Sequence, residues 1–128
     1  MANKVKMQIQ EGIAWPAIFA AVLNKDDLVR VTADETVNAA ADTHVVKGYV
    51  VKSATAANGR GTVMLKGRAV IEILFSGNLA AGTEVKMAAL SGSNQQVAAF
   101  VAGTDAEALR VGWVLKGANN AVGLVVLY

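Results

Sequence analysis

Residues with reactive side chains are few. His44 is the sole imidazole, which excludes any site that needs two, the His-x-x-x-His zinc pattern among them. Asp42 precedes it by two residues, as one half of a metal-ligating or acid–base pair would. A loop residue entering a strand accounts for His44 more simply. Asp26, Asp27, Asp34 and Glu35 are oxygen donors, but their spacing lacks the alternate positions and closing Glu of a calcium loop. They read as solvated turn charges. Gly59-Arg60-Gly61-Thr62 has the outline of a phosphate loop without the Lys before the hydroxyl residue and without a strand-to-helix setting. A hairpin turn explains it. Ser53, Ser76, Ser91 and Ser93 lie in turn-like segments, and none stands in Gly-x-Ser-x-Gly. The residues give no catalytic group, no metal ligand set and no cofactor-binding motif, so the chain reads as something other than an enzyme.

The aromatic residues are Trp15, Phe19, Tyr49, Phe75, Phe100, Trp113 and Tyr128. A nucleic-acid platform would interleave such rings with Lys and Arg on one strand face. Here Phe75 and Trp113 have aliphatic neighbours and read as core. Trp15 beside Pro16 differs, because a large ring in an N-terminal segment suits an interface anchor.

The elements that position these residues are strands. From Val45 to Met87 the chain reads as strand, turn, strand, break at Gly67, strand, turn, strand. Asn58-Gly59 supplies hairpin-turn chemistry. Arg68 to Phe75 alternates with period two, placing Ala69, Ile71, Ile73 and Phe75 on one face. Lys4 to Gln10 alternates likewise, with Val5, Met7 and Ile9 on one side. It is expected to be a half-buried first strand, or an arm that pairs with a neighbour's sheet edge. Ile13 to Leu23 is apolar, and Pro16 would suit the first turn of a short helix; its bulky residues are Trp15, Ile18, Phe19 and Val22. A helix or irregular segment is expected, with an extended strand as the alternative. Leu28 to Ala33 is a strand, and residues 34–42 are a loop or one helical turn. Gln96 to Val101, Val111 to Lys116 and Val122 to Tyr128 are further strands. Thr104 and Glu107 have the spacing of a capping box. The fold class is mainly β, a small single-domain barrel or sandwich with an N-terminal arm or short helix.

Composition narrows the role. A chain of 128 residues is one domain's worth. Hydrophobic residues make up 54% and charged residues only 17%, below the usual ~25%. Such a surface exposes apolar patches, and these mark association sites. With no cysteine there is no disulfide framework or thiol chemistry. A net charge of +2 with scattered Lys and Arg gives nucleic-acid binding little support. No signal peptide is evident, because Gln8, Gln10 and Glu11 stand where a hydrophobic region would begin. Ile13 to Leu23 is too short for the ~20 residues of a membrane span.

Several segments carry a resemblance: His44-Val45-Val46-Lys47-Gly48-Tyr49-Val50-Val51, Ala57 to Leu65, Gly67 to Ile73, Asn78-Leu79-Ala80-Ala81-Gly82-Thr83-Glu84-Val85, Val111 to Leu115 and Val122 to Tyr128. In these the chain resembles the bacteriophage capsid decoration, or cement, proteins. The resemblance implies a β-tulip-like domain over residues 24–128 without catalytic activity. It also implies a homotrimer that binds the major capsid protein on the outside of the shell and bridges capsomers, made in the bacterial host's cytoplasm. The N-terminal segment 1–23 is expected to carry partner contacts through Val5, Met7, Ile9, Trp15, Pro16, Ile18 and Phe19, and to be dispensable for the fold of the rest. The alternative is a small β-barrel that binds a carbohydrate or host-surface ligand through solvent-facing Trp15, Tyr49 or Trp113.

Overall fold

Valine-rich runs separated by Gly, Asn and Asp favour short strands joined by tight turns, and the computed structural model is built from them. It describes residues 3–10, 12–65 and 68–128, and for residues 9 and 10 the backbone only. The expected break at Gly67 lies outside the described residues. The strands are β1 (Lys4–Gln10), β2 (Ile13–Phe19), β3 (Leu28–Ala33), β4 (Thr36–Ala39), β5 (Gly48–Lys52), β6 (Arg60–Leu65), β7 (Arg68–Phe75), β8 (Asn78–Leu79), β9 (Glu84–Met87), β10 (Gln96–Ala99), β11 (Gly112–Lys116), β12 (Ala118–Asn119) and β13 (Val122–Leu127). The mainly-β expectation holds.

The strands close two rings. In the first, β2 runs parallel to β4, β4 pairs with β3, β3 with β5, β5 with β6, and β6 returns to β2. In the second, β7 runs parallel to β10, followed by β9, β11 and β13, which returns to β7. Strand β1 is added to β7 outside the ring, and the short β8 and β12 pair with each other.

These rings have one topology and one register. Phe19 opposes Val37 as Phe75 opposes Val97. Val29 opposes Gly48 as Val85 opposes Gly112. Tyr49 opposes Met64 as Trp113 opposes Val126, and the register then slips at the same place in both hairpins, before Lys52 and before Lys116. Ala17 opposes Gly61 as Ile73 opposes Gly123. Both of the latter glycines are required by close approach. A Cβ on Gly61 would meet the Lys52 carbonyl at 2.6 Å and the Phe19 ring, and one on Gly123 would meet the Lys116 carbonyl at 2.7 Å and the Phe75 ring. The chain is a tandem duplication of one barrel.

Each barrel has its own apolar filling. Ala17, Phe19, Val29, Val37, Val50 and Val63 fill the first. Their register equivalents Ile73, Phe75, Val85, Val97, Val114 and Val125 fill the second. The second cluster extends further, and takes in Leu28, Ala40, Tyr49 and Met64 from the outer side of the first barrel.

Three expectations are corrected. Ile13 to Phe19 is a strand, not a helix, because the first ring needs it to close. Pro16 is tolerated there. The Phe19 N–H points to the β6 side and the Ile18 N–H to the β4 side, so the missing Pro16 donor faces the β4 side, where β2 pairs only from Ile18 onward. Residues 34–42 contain strand β4. The Thr104–Glu107 capping box does not form. Glu107–Leu109 is a 3-10 turn capped by Ala106 without a side-chain bond.

Candidate interaction surfaces

Three of the sequence-level candidates for chemistry are absorbed by the scaffold. His44 Nδ1 accepts the Ala41 N–H at 3.0 Å and closes its own turn. Asp26 is buried and accepts the Val5 N–H at 3.1 Å through Oδ2. Asp27 caps the Asn24 N–H at 3.0 Å, and burial pushes its carboxyl above the usual carboxylate range. Among the described residues, no group of three or more His, Asp or Glu side chains converges as a metal site would require.

Among the described residues, two surfaces stand out. The first is an end of the first barrel. Ile13, Trp15, Val31 and Leu65 continue the lining faces of β2, β3 and β6 past the filled layer, and the first three are 65%, 43% and 54% exposed. By register their equivalents in the second barrel are Ala69, Ile71, Met87 and Leu127, which are 0%, 0%, 1% and 4% exposed. The difference is the cover. Leu28, Ala40, Tyr49 and Met64 of the first barrel lie against this end of the second, in one apolar cluster. The buried Gln95 fastens the junction. Its Oε1 accepts the Leu28 N–H at 2.8 Å, and its Nε2 donates to the carbonyls of Leu28 at 2.7 Å and Ala40 at 2.8 Å. Asn3 Nδ2 also donates to Gln95 Oε1, at 2.8 Å.

The second surface is the outer side of the second barrel. Register equates Glu84, Trp113 and Val126 with Leu28, Tyr49 and Met64. Here the side is partly open to solvent. The Arg110 guanidinium lies 5.6 Å from the Phe100 ring centre and 5.9 Å from that of Tyr128. Arg110 also pairs with Glu84 at 3.1 Å and Glu107 at 2.7 Å, and the Tyr128 hydroxyl donates to Glu84 at 3.0 Å. An arginine stacked between rings is a composition enriched at protein interfaces.

The residues expected to meet partners are divided by the structure. Trp15 and Pro16 are exposed on β2, and Met7 is exposed on β1. Ile18 and Val5 are half-buried, Val5 against the second barrel's cluster. The Ile9 side chain lies outside the described residues. Phe19 is corrected to core, because its ring fills the first barrel. The 1–23 segment is likewise no separate arm, since β1 pairs with β7 and β2 closes a ring. Of the aromatics a sugar-binding site would call on, Tyr49 is buried and its hydroxyl accepts from Gln8 Nε2 at 2.8 Å.

No protein-family model matches the chain, and no curated protein matches it by sequence. A solved structure does: the N base of the head fiber gp8.5 of bacteriophage phi29. It superposes with a TM-score of 0.60 over 91% of this chain and 93% of that one, at 12% sequence identity. The two proteins share a fold. At this identity the likeness speaks for architecture, and it covers both barrels. Sequence reading missed the outer surface of the second barrel and the duplication itself. A signal for both is present in Gly48-Tyr49-Val50-Val51-Lys52 and Gly112-Trp113-Val114-Leu115-Lys116, two near copies of one strand.

Proposed function

We propose that this protein is a structural component of a phage head, a decoration protein that binds the outer surface of the capsid shell and stabilises it by bridging capsomers. The observation that carries the reading is the fold shared along nearly the whole chain with a phage head fiber base. The character of the molecule also supports it: two filled barrels, surface-exposed Trp15, Ile13 and Val31, and reactive groups engaged in turns and caps. A shell protein needs a stiff body and contact area, about 800 Å² for each specific partner. Repeated copies on a lattice then add avidity, so each contact is permitted to be weak.

The test uses heads of the encoding phage assembled without this protein. Adding the purified chain is expected to give co-sedimentation with the heads and a higher shell melting temperature. Absence of binding to mature and expanded heads alike would overturn the reading.

A further inference from the structure

We infer that the open end of the first barrel is a docking site for a second copy of this chain, whose second barrel covers it head to tail. The molecule contains its own precedent for the contact. The same end of the same barrel occurs twice, as Ile13, Trp15, Val31 and Leu65 and as Ala69, Ile71, Met87 and Leu127. In the second barrel that end is covered by the outer side of a first barrel. The outer side of the second barrel, which carries Trp113 at the position of Tyr49, is the register equivalent of that cover and is partly open to solvent. One chain therefore ends in an exposed socket at one side and an unused plug at the other. Contacts between unlike surfaces repeat from copy to copy and close into rings when the rotation permits.

The two open surfaces differ in composition from their counterparts in the inner junction. Inside the chain the junction is apolar and is fastened by neutral Gln95 at the rim. At the open end the residue in the Gln95 position, immediately before Thr36 as Gln95 is before Gln96, is Glu35. On the plug, Leu28 and Ala40 are replaced by Glu84 and Phe100, and Arg110 lies across Phe100 and Tyr128. On the plug Arg110 is already paired with Glu84 at 3.1 Å and Glu107 at 2.7 Å, so Glu35 of a docked copy would meet a cluster of both signs and not a free arginine. Within one chain Glu35 has a 3.9 Å contact with Arg60, between side chains more than half exposed. This goes beyond the head-protein reading and does not depend on it, since it concerns copies of the chain in solution.

Two variants test it. Trp15→Glu spoils the socket and Trp113→Glu spoils the plug; Val31→Glu and Tyr128→Glu are second choices at more exposed positions should either fail to fold by circular dichroism. Light scattering after size exclusion, over a range of concentrations, is expected to show the native chain as an oligomer. Each variant alone is expected to be a monomer, with association weakened about 30-fold or more, as for a hot-spot aromatic. An equimolar mixture of the two is expected to give a 1:1 dimer, because each supplies the surface that the other lacks. A native chain that stays monomeric at every concentration overturns the inference. So does a Trp113→Glu variant that still self-associates, which would mean socket-to-socket contact, or a mixture that yields no dimer. Failure on phage heads with success here would remove the functional reading and leave this contact standing.

Discussion

Tyr49 and Trp113 occupy one register position in two copies of the same barrel, each opposite its own β6 or β13 partner and each preceded by glycine. Tyr49 is buried against the neighbouring barrel, while Trp113 is half-exposed on the free side of the second. The pair shows how one strand design serves as inner junction in one place and as outer surface in another.

Gln95 is the polar fastener of the inner junction, and its removal has a defined cost. Gln95→Ala leaves the Leu28 N–H and the Ala40 carbonyl without this side chain's bonds, and a buried polar group left unpaired costs about 1–3 kcal/mol. The expected result is a lower urea midpoint with secondary structure retained. An unchanged midpoint would show that solvent reaches the junction.

Gly48 and Gly112 are predicted to respond alike. A Cβ at Gly48 would collide with the Met64 carbonyl oxygen, and one at Gly112 with that of Val126. Backbone cannot yield as a side-chain tip does, so Gly48→Ala and Gly112→Ala should each destabilise by about 2–3 kcal/mol or more. Thermal melts of the two variants check this. A large effect at one position and none at the other would break the equivalence of the barrels.

Truncation separates β1 from β2. Deleting residues 1–23 removes the strand that closes the first ring and uncovers core positions such as Val37 and Val63, so that barrel is expected to unfold. Deleting residues 1–10 removes only the strand added outside the second ring, with a smaller loss. Circular dichroism and denaturant melts of both truncations distinguish the cases. A 1–23 deletion that kept the native spectrum would mean that β2 is dispensable.

Two carboxylates set opposite acid responses. Asp105 is held below its ordinary range, first by the hydrogen bond from Lys86 at 2.7 Å and then by the Val101 N–H. Its contribution is present above the unfolded carboxylate value and is lost as pH falls through the lower folded one. Asp27 is raised, chiefly by burial, so its ionised form opposes folding at neutral pH and that opposition fades in acid. Asp105→Asn is therefore expected to destabilise at pH 7 and to matter progressively less as acid takes the pH through the lowered folded value. Asp27→Asn, which keeps an acceptor for the Asn24 N–H, is expected to stabilise at pH 7 and to lose that advantage in acid. Urea midpoints across this range check both signs.

Much of the strand layout is legible in the sequence, because period-two alternation survives wherever one face lines a barrel. Leu28 to Ala33 and Arg68 to Phe75 emerge with the bounds their alternation predicts. Ile13 to Phe19 is ambiguous because Trp15, Ile18, Phe19 and Val22 also satisfy a helical spacing. Ring closure, a tertiary effect, decides it for a strand. Trp15 stands out as a candidate contact by its ring and its place, and it is exposed. Phe19 does not separate from it by sequence, since two rings four residues apart in one apolar run differ only in how far along the barrel they lie. The duplication is hidden by unequal loops. The β3–β4 turn is short where the β9–β10 connection runs through residues 88–95, so no single offset aligns the halves.

Both sides of the Gln95 junction travel on one chain, so dilution does not part them: the tether keeps their effective concentration high whatever the amount of protein. The socket around Trp15 has no such tether. Its occupancy follows supply, so the same molecule carries one contact that is always made and one that responds to abundance.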